Sequence, residues 1–102
     1  MAKQYKDSKF LVIEAFESEF AAIGFGVNVQ FVGRILVCDN CNEQISGKTC
    51  YYVPVLNRVF CKECFEHWNA TAEHFSDDDN YERVHFEGVK AKLEKCGLWY
   101  EP

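Results

Sequence analysis

The sequence predicts a small α+β domain, one unit over residues 1–102, organised around a bound metal. Three observations predict it. Cys38-Asp-Asn-Cys41 and Cys61-Lys-Glu-Cys64 are two Cys-x-x-Cys pairs separated by nineteen residues, a spacing that suits one tetrahedral structural zinc. Phe25, Val27, Val29 and Phe31 alternate with Gly26, Asn28 and Gln30, the two-residue period of a half-buried strand. Phe86, Val89, Leu93 and Cys96 recur at three- and four-residue steps, the stripe of a packed helix.

Residues 1–6 are polar and read as a frayed end. Asp7 or Ser8 is placed to cap a helix carrying Phe10, Ile13, Phe16 or Glu17, Phe20 and Ile23 on one face, stopped by Gly24. Phe10-Leu-Val-Ile13 taken alone would also suit a buried strand. The alternating strand follows from Phe25 to Phe31, Gly33 marks a turn or bulge, and Arg34–Val37 forms a short strand leading into Cys38. After the first cysteine pair, Gly47-Lys48-Thr49 ends like a phosphate-binding loop. The required glycine five residues earlier is Asn42, so a turn is expected instead. Cys50–Val55 and Arg58–Phe60 read as hairpin arms around Leu56-Asn57, and Pro54, which lacks an N–H, places its arm at a sheet edge or bulge. Cys61 opens a helix from Lys62 to about His74 that turns Phe65, Trp68, Ala72 and Phe75 inward. Ser76–Asn80 is a polar linker whose Asp79 or Asn80 caps a last helix over residues 81–96, ended by Gly97.

The cysteine pairs carry the most specific chemistry. Two residues between cysteines let both sulfurs curl onto one ion, and the long loop brings the second pair across. Helix N-terminal N–H groups should lower the thiol pKa at Cys61, which opens the helix. Cys38, Cys41, Cys61 and Cys64 fill a four-sulfur shell, which leaves no open position for a water or substrate, so a catalytic zinc and an enzyme are not expected. Cys50 and Cys96 read as small buried hydrophobes, and His67, His74 and His85 as surface or packing residues. Asp77-Asp-Asp79 lacks the spacing of a calcium loop and reads as a solvated linker.

Six cysteines would alternatively make three disulfides, which requires export. The apolar run at Phe10–Ile13 is broken by Glu14, short of the ~7–15 residues of a signal core, and no run approaches the ~18 of a membrane span. A cytoplasmic chain with reduced thiols is therefore expected. Net charge is −5, and its distribution is uneven. Residues 65–102 hold nine Asp/Glu against four Lys/Arg, whereas the two signs balance in residues 1–64. With no basic stripe, nucleic-acid binding is disfavoured.

The order of cysteine pair, hairpin and helix started by the second pair resembles the treble-clef zinc modules over residues 35–70. Val59-Phe60-Cys61-Lys-Glu-Cys64-Phe65 is similar to the second zinc site of LIM domains, of whose two tandem sites this chain has cysteines for one. The resemblance implies that Cys38, Cys41, Cys61 and Cys64 are the ligands of a Zn2+ ion and that the module serves protein–protein contact, as adaptor or inhibitor. Two alternatives stand beside it. One is a nucleic-acid-binding zinc module using Arg34, Lys48, Arg58 and Lys62. The other is an acidic inhibitor occupying a partner's nucleic-acid site through residues 73–87. Trp99 and Tyr100, aromatic and near the chain's end, are candidates for a partner or homo-oligomer contact.

Overall fold

Four short strands pair in sequence order into one antiparallel sheet: β1 (Lys3–Gln4), β2 (Ile13–Phe16), β3 (Thr49–Val53) and β4 (Arg58–Cys61). Among the described residues there are three α-helices: α1 (Glu17–Ala22), α2 (Lys62–Thr71) and α3 (Asp79–Lys95), the last preceded by a 3-10 turn at Ser76–Asp78. The computed structural model describes residues 1–23, 37–45 and 47–100. The expected strand at Phe25–Phe31, residues 34–36 of the expected Arg34–Val37 strand and the helix stop at Gly24 lie outside the described residues, and Val37 makes an isolated antiparallel bridge with Gln44.

The helix expected between Ser8 and Ile23 is a strand followed by a much shorter helix. Ile13 pairs with Tyr52 and Ala15 with Cys50, so Ile13 and Ala15 enter the core as alternate residues of β2. Glu14, on the opposite face, accepts the Tyr51 hydroxyl at 2.9 Å and pairs with Lys3 at 3.5 Å. Cross-strand burial of Ile13 against Tyr52 and of Ala15 against Cys50 thus overrides the helical spacing. Ser8 does not cap a helix; its hydroxyl donates to Asn69 Oδ1 at 2.6 Å and accepts the Phe10 N–H. The chain's beginning is not frayed either. Ala2 is fully buried, its N–H donates to Leu98 O and Glu19 Oε2, and its carbonyl accepts the Tyr100 N–H at 2.7 Å.

Register fixes which residues share a face. Glu14, Tyr51 and Phe60 lie across one face, and α2 covers it: Phe65 stacks on Tyr51 at 4.4 Å and 11°, with Tyr5 edge-on to both rings. Ile13, Tyr52 and Val59 point the other way, followed by Ala15, Cys50 and Cys61. Because β3 is buried from Cys50 to Val53, it is an interior strand. Pro54 does not put it at an edge, because it falls one residue past Val53, in the turn, where only its carbonyl is needed to accept the Asn57 N–H. Asn57 takes the left-handed conformation (φ 53°) and is held there by the Tyr52 hydroxyl at 2.7 Å.

α2 stops at Thr71, short of His74. The Thr71 hydroxyl donates back to the His67 carbonyl at 3.2 Å, Ala72 turns extended, and Phe75 is left exposed where an inward position was expected. The acidic linker at 76–80 is itself helical, so α3 begins at Asp79, before Tyr81, with Asp78 at its N-cap and no side-chain cap bond. Phe86, Val89 and Leu93 are buried as expected, whereas Cys96 is exposed. The helix ends in a Schellman motif: Leu98 N–H reaches Leu93 O, Gly97 N–H reaches Glu94 O, and Gly97 has φ 70°.

Candidate metal centre

The knuckle at Cys38–Cys41 is a tight turn made by local hydrogen bonds. Cys38 N–H donates to Glu43 O at 2.9 Å and Asn42 N–H to Cys38 O at 3.0 Å, with Asn42 left-handed at φ 62°. Asp39 fastens this turn to the outer edge of β4: its N–H donates to Val59 O at 2.9 Å and its Oδ2 accepts Val59 N–H at 2.8 Å. One residue therefore satisfies both free backbone groups of Val59 and blunts the sheet edge. The second pair comes from the strand-to-helix junction. Cys61 ends β4 and is the N-cap of α2, and Cys64 sits in the first turn of that helix.

These two junctions bring all four sulfurs within 4.8 Å of one another, with Cys41 Sγ and Cys61 Sγ 3.9 Å apart. A zinc–sulfur bond of ~2.3 Å in a tetrahedron requires sulfurs about 3.8 Å apart, close to the Cys41–Cys61 separation, so the four thiols form a group that could hold a metal ion. Asn40 supports it from outside, with Nδ2 3.3 Å from Cys64 Sγ and its backbone N 3.4 Å from Cys38 Sγ. The four residues named from the sequence are thus brought together. His67, one turn beyond Cys64, is exposed on α2, and Cys50 is buried beneath the site opposite Cys61.

Protonation of the metal-free thiols departs from the expected helix effect. Burial is the largest influence on Cys61 and pushes it up to about 12, overriding the N–H of Cys64 and the start of the helix. Burial alone would also raise Cys38, but N–H groups of Cys41, Cys61 and Asn40 converge on its sulfur and bring it below its ordinary value. The Glu43 N–H lowers Cys41, yet burial and the neighbouring thiols of Cys64 and Cys38 leave it raised. Four adjacent thiolates repel one another, and a bound cation removes that repulsion.

Sequence reasoning missed the supporting residues Asp39 and Asn40, whose only signal was their place inside the first pair. It also missed a second constellation. His74 Nε2 lies 2.9 Å from Glu82 Oε1 and 3.4 Å from Asp79 Oδ1, and Glu82 Oε2 accepts the Leu11 N–H at 2.9 Å. The hydrogen bond to Glu82 raises the His74 pKa above its ordinary value, against the effect of burial. Of the expected basic face, Lys48 and Lys62 line a groove beside the cysteines together with Glu43 and Glu63, and Arg34 lies outside the described residues. Among the described residues no helix is long and apolar enough to cross a membrane. No protein-family model, no curated protein and no solved structure matches this chain.

Proposed function

We propose that Cys38, Cys41, Cys61 and Cys64 hold one structural Zn2+ in a treble-clef module, and that the chain is a protein–protein interaction module acting as adaptor or inhibitor. Soft thiolates in a four-sulfur shell favour zinc over the hard cations, and the filled shell leaves no position for chemistry. The metal is a staple rather than a reaction centre. Its ligands require reducing surroundings such as the cytoplasm.

The observation that carries the interaction reading is the exposed apolar row at the start of α3. Phe75 is 59% exposed, Tyr81 45% and Val84 52%, with Tyr81 and Val84 three residues apart on one helix face. Exposed Asp77, Asp78 and Asp79 stand beside them. Exposed apolar side chains that follow one another in sequence with acids suit a partner with an apolar surface carrying Lys or Arg. Of the tail residues, Tyr100 is exposed, while Trp99 is partly packed edge-on against Phe86 with Lys90 over its ring.

The test is native co-purification from the source cell with the wild type and a Tyr81→Ser, Val84→Glu double variant, both confirmed to hold one zinc. A partner retained by the wild type and lost from the variant supports this reading. Equal retention overturns the assignment of the contact to the start of α3, and binding only to nucleic acid with a steep salt dependence overturns the interaction reading in favour of the nucleic-acid alternative.

A further inference from the structure

We propose that His74, Asp79 and Glu82 form a second cation site, separate from the cysteines, that takes a divalent transition metal such as Co2+, Ni2+ or Zn2+ through one imidazole nitrogen and two carboxylates. The three groups come from the segment after α2 and the first turn of α3, with Asp79 and Glu82 three residues apart and so on one face. Their ligand atoms all lie within 4.8 Å of one another. With metal–ligand bonds of about 2.1 Å, neighbouring ligand atoms sit about 3.0 Å apart in an octahedron and about 3.4 Å apart in a tetrahedron. The Nε2 separation from Glu82, 2.9 Å, is that of an octahedral edge, and that from Asp79, 3.4 Å, is within about 0.5 Å of the same edge, a change that rotation of the exposed Asp79 side chain supplies.

Charge and burial point the same way. Glu82 is 4% exposed, and a buried carboxylate is costly without a compensating positive charge. Among the described residues its ion-pair partner is His74, which even when protonated sets one positive charge against two carboxylates. A divalent cation bound by neutral His74 balances both. The remaining Glu82 oxygen is fixed by the Leu11 N–H, the kind of outer contact that orients a metal-ligating carboxylate. The Asp79 side chain is 64% exposed, so one side of the site opens to solvent and leaves positions for water or for a partner's ligand. Imidazole and carboxylate together suit borderline metals, which separates this site from the all-sulfur cluster.

The experiment uses the full chain with zinc on its cysteines, titrated with Co2+ and followed by amide NMR. Retention of zinc is verified by the absence of thiolate-to-cobalt charge-transfer absorption. A saturable paramagnetic shift is expected, fitting one Co2+ per chain and centred on the Leu11, His74 and Glu82 amides. Asp79→Asn and His74→Ala should each weaken it at least tenfold. Asp79→Asn changes an exposed side chain and leaves the fold intact, so it carries the test even where His74→Ala disturbs the linker. No saturable shift at millimolar Co2+, or wild-type affinity in Asp79→Asn, overturns the site and leaves an ion pair.

Discussion

Replacing Asp39 with alanine separates the metal's ligands from the scaffold that presents them. Asp39 touches no sulfur in the structure, yet its Oδ2 accepts the Val59 N–H at 2.8 Å and so docks the knuckle on β4. Asp39→Ala keeps the backbone bond from residue 39 to the Val59 carbonyl and removes the carboxylate alone. A hydrogen bond to a charged group is worth ~1.5–3 kcal/mol, and the Val59 N–H loses its acceptor. If the knuckle is ordered only when metal is bound, that energy appears as weakened metal affinity. At about 1.4 kcal/mol per decade it corresponds to roughly ten- to hundredfold. Competition with a chromophoric chelator measures the affinity. Asp39→Asn, which keeps an oxygen acceptor, should recover most of the loss. An Asp39→Ala protein with affinity within about threefold of wild type refutes the argument that the β4 edge positions the first cysteine pair.

Removing the metal by chelation, or substituting Cys61→Ser, should expose the amides of β4 and α2 to hydrogen exchange, since structural zinc contributes about 10–16 kcal/mol in comparable small modules. Protein purified reduced should carry one zinc by elemental analysis, and none would end the metal reading. The metal-loaded protein should lose stability as pH falls, because protons compete with the cation for the four thiolates; denaturant melts at pH 7 and pH 5 check it, and equal stability at both would count against thiolate ligation. Two glycines should differ in sign. A Cβ at Gly88 or Gly97 meets nothing within 4 Å, so Gly88→Ala in the middle of α3 should stabilise by about 0.8–1 kcal/mol. Gly97→Ala, forced to φ 70°, should cost about 1–2 kcal/mol through the backbone alone.

The parts that were legible in the sequence are those whose signal is local. The cysteine pairs place four sulfurs through two short turns, the hairpin is bounded by Pro54 and Asn57, and the end of α3 is set by Gly97. The parts that misled depend on distant partners. Phe10–Ile13 suits a helix stripe or a buried strand, and the choice falls to β3, thirty-odd residues away, whose Tyr52 and Cys50 complete a face with Ile13 and Ala15. Likewise Ala2 is small and near a charged stretch, but Leu98 and Tyr100 pair with it across the whole chain. The helix-dipole argument for low thiol pKa values failed at Cys61 for the same reason, because burial by the surrounding fold outweighs the local N–H groups.

The acidic balance of the chain takes on a different meaning once the carboxylates are placed. Glu19 accepts the N–H groups of Ala2 and Phe16, Asp39 that of Val59, and Glu82 that of Leu11. Each ties a helix or turn to a strand, or to the segment leading into one, and Glu19 and Glu82 are buried while doing so. Such carboxylates are chosen because an ionised oxygen is the strongest side-chain acceptor for an otherwise free backbone N–H. They therefore contribute to the formal charge of −5 without presenting that charge to a partner. The acidity available for recognition is narrower than composition suggests. Of the exposed acids, Asp77–Asp79 form the run that lies next in sequence to Phe75, Tyr81 and Val84, so an interaction through that face should weaken when these aspartates are neutralised and stay unchanged when Glu43 or Glu63, exposed beside the cysteines, is neutralised instead.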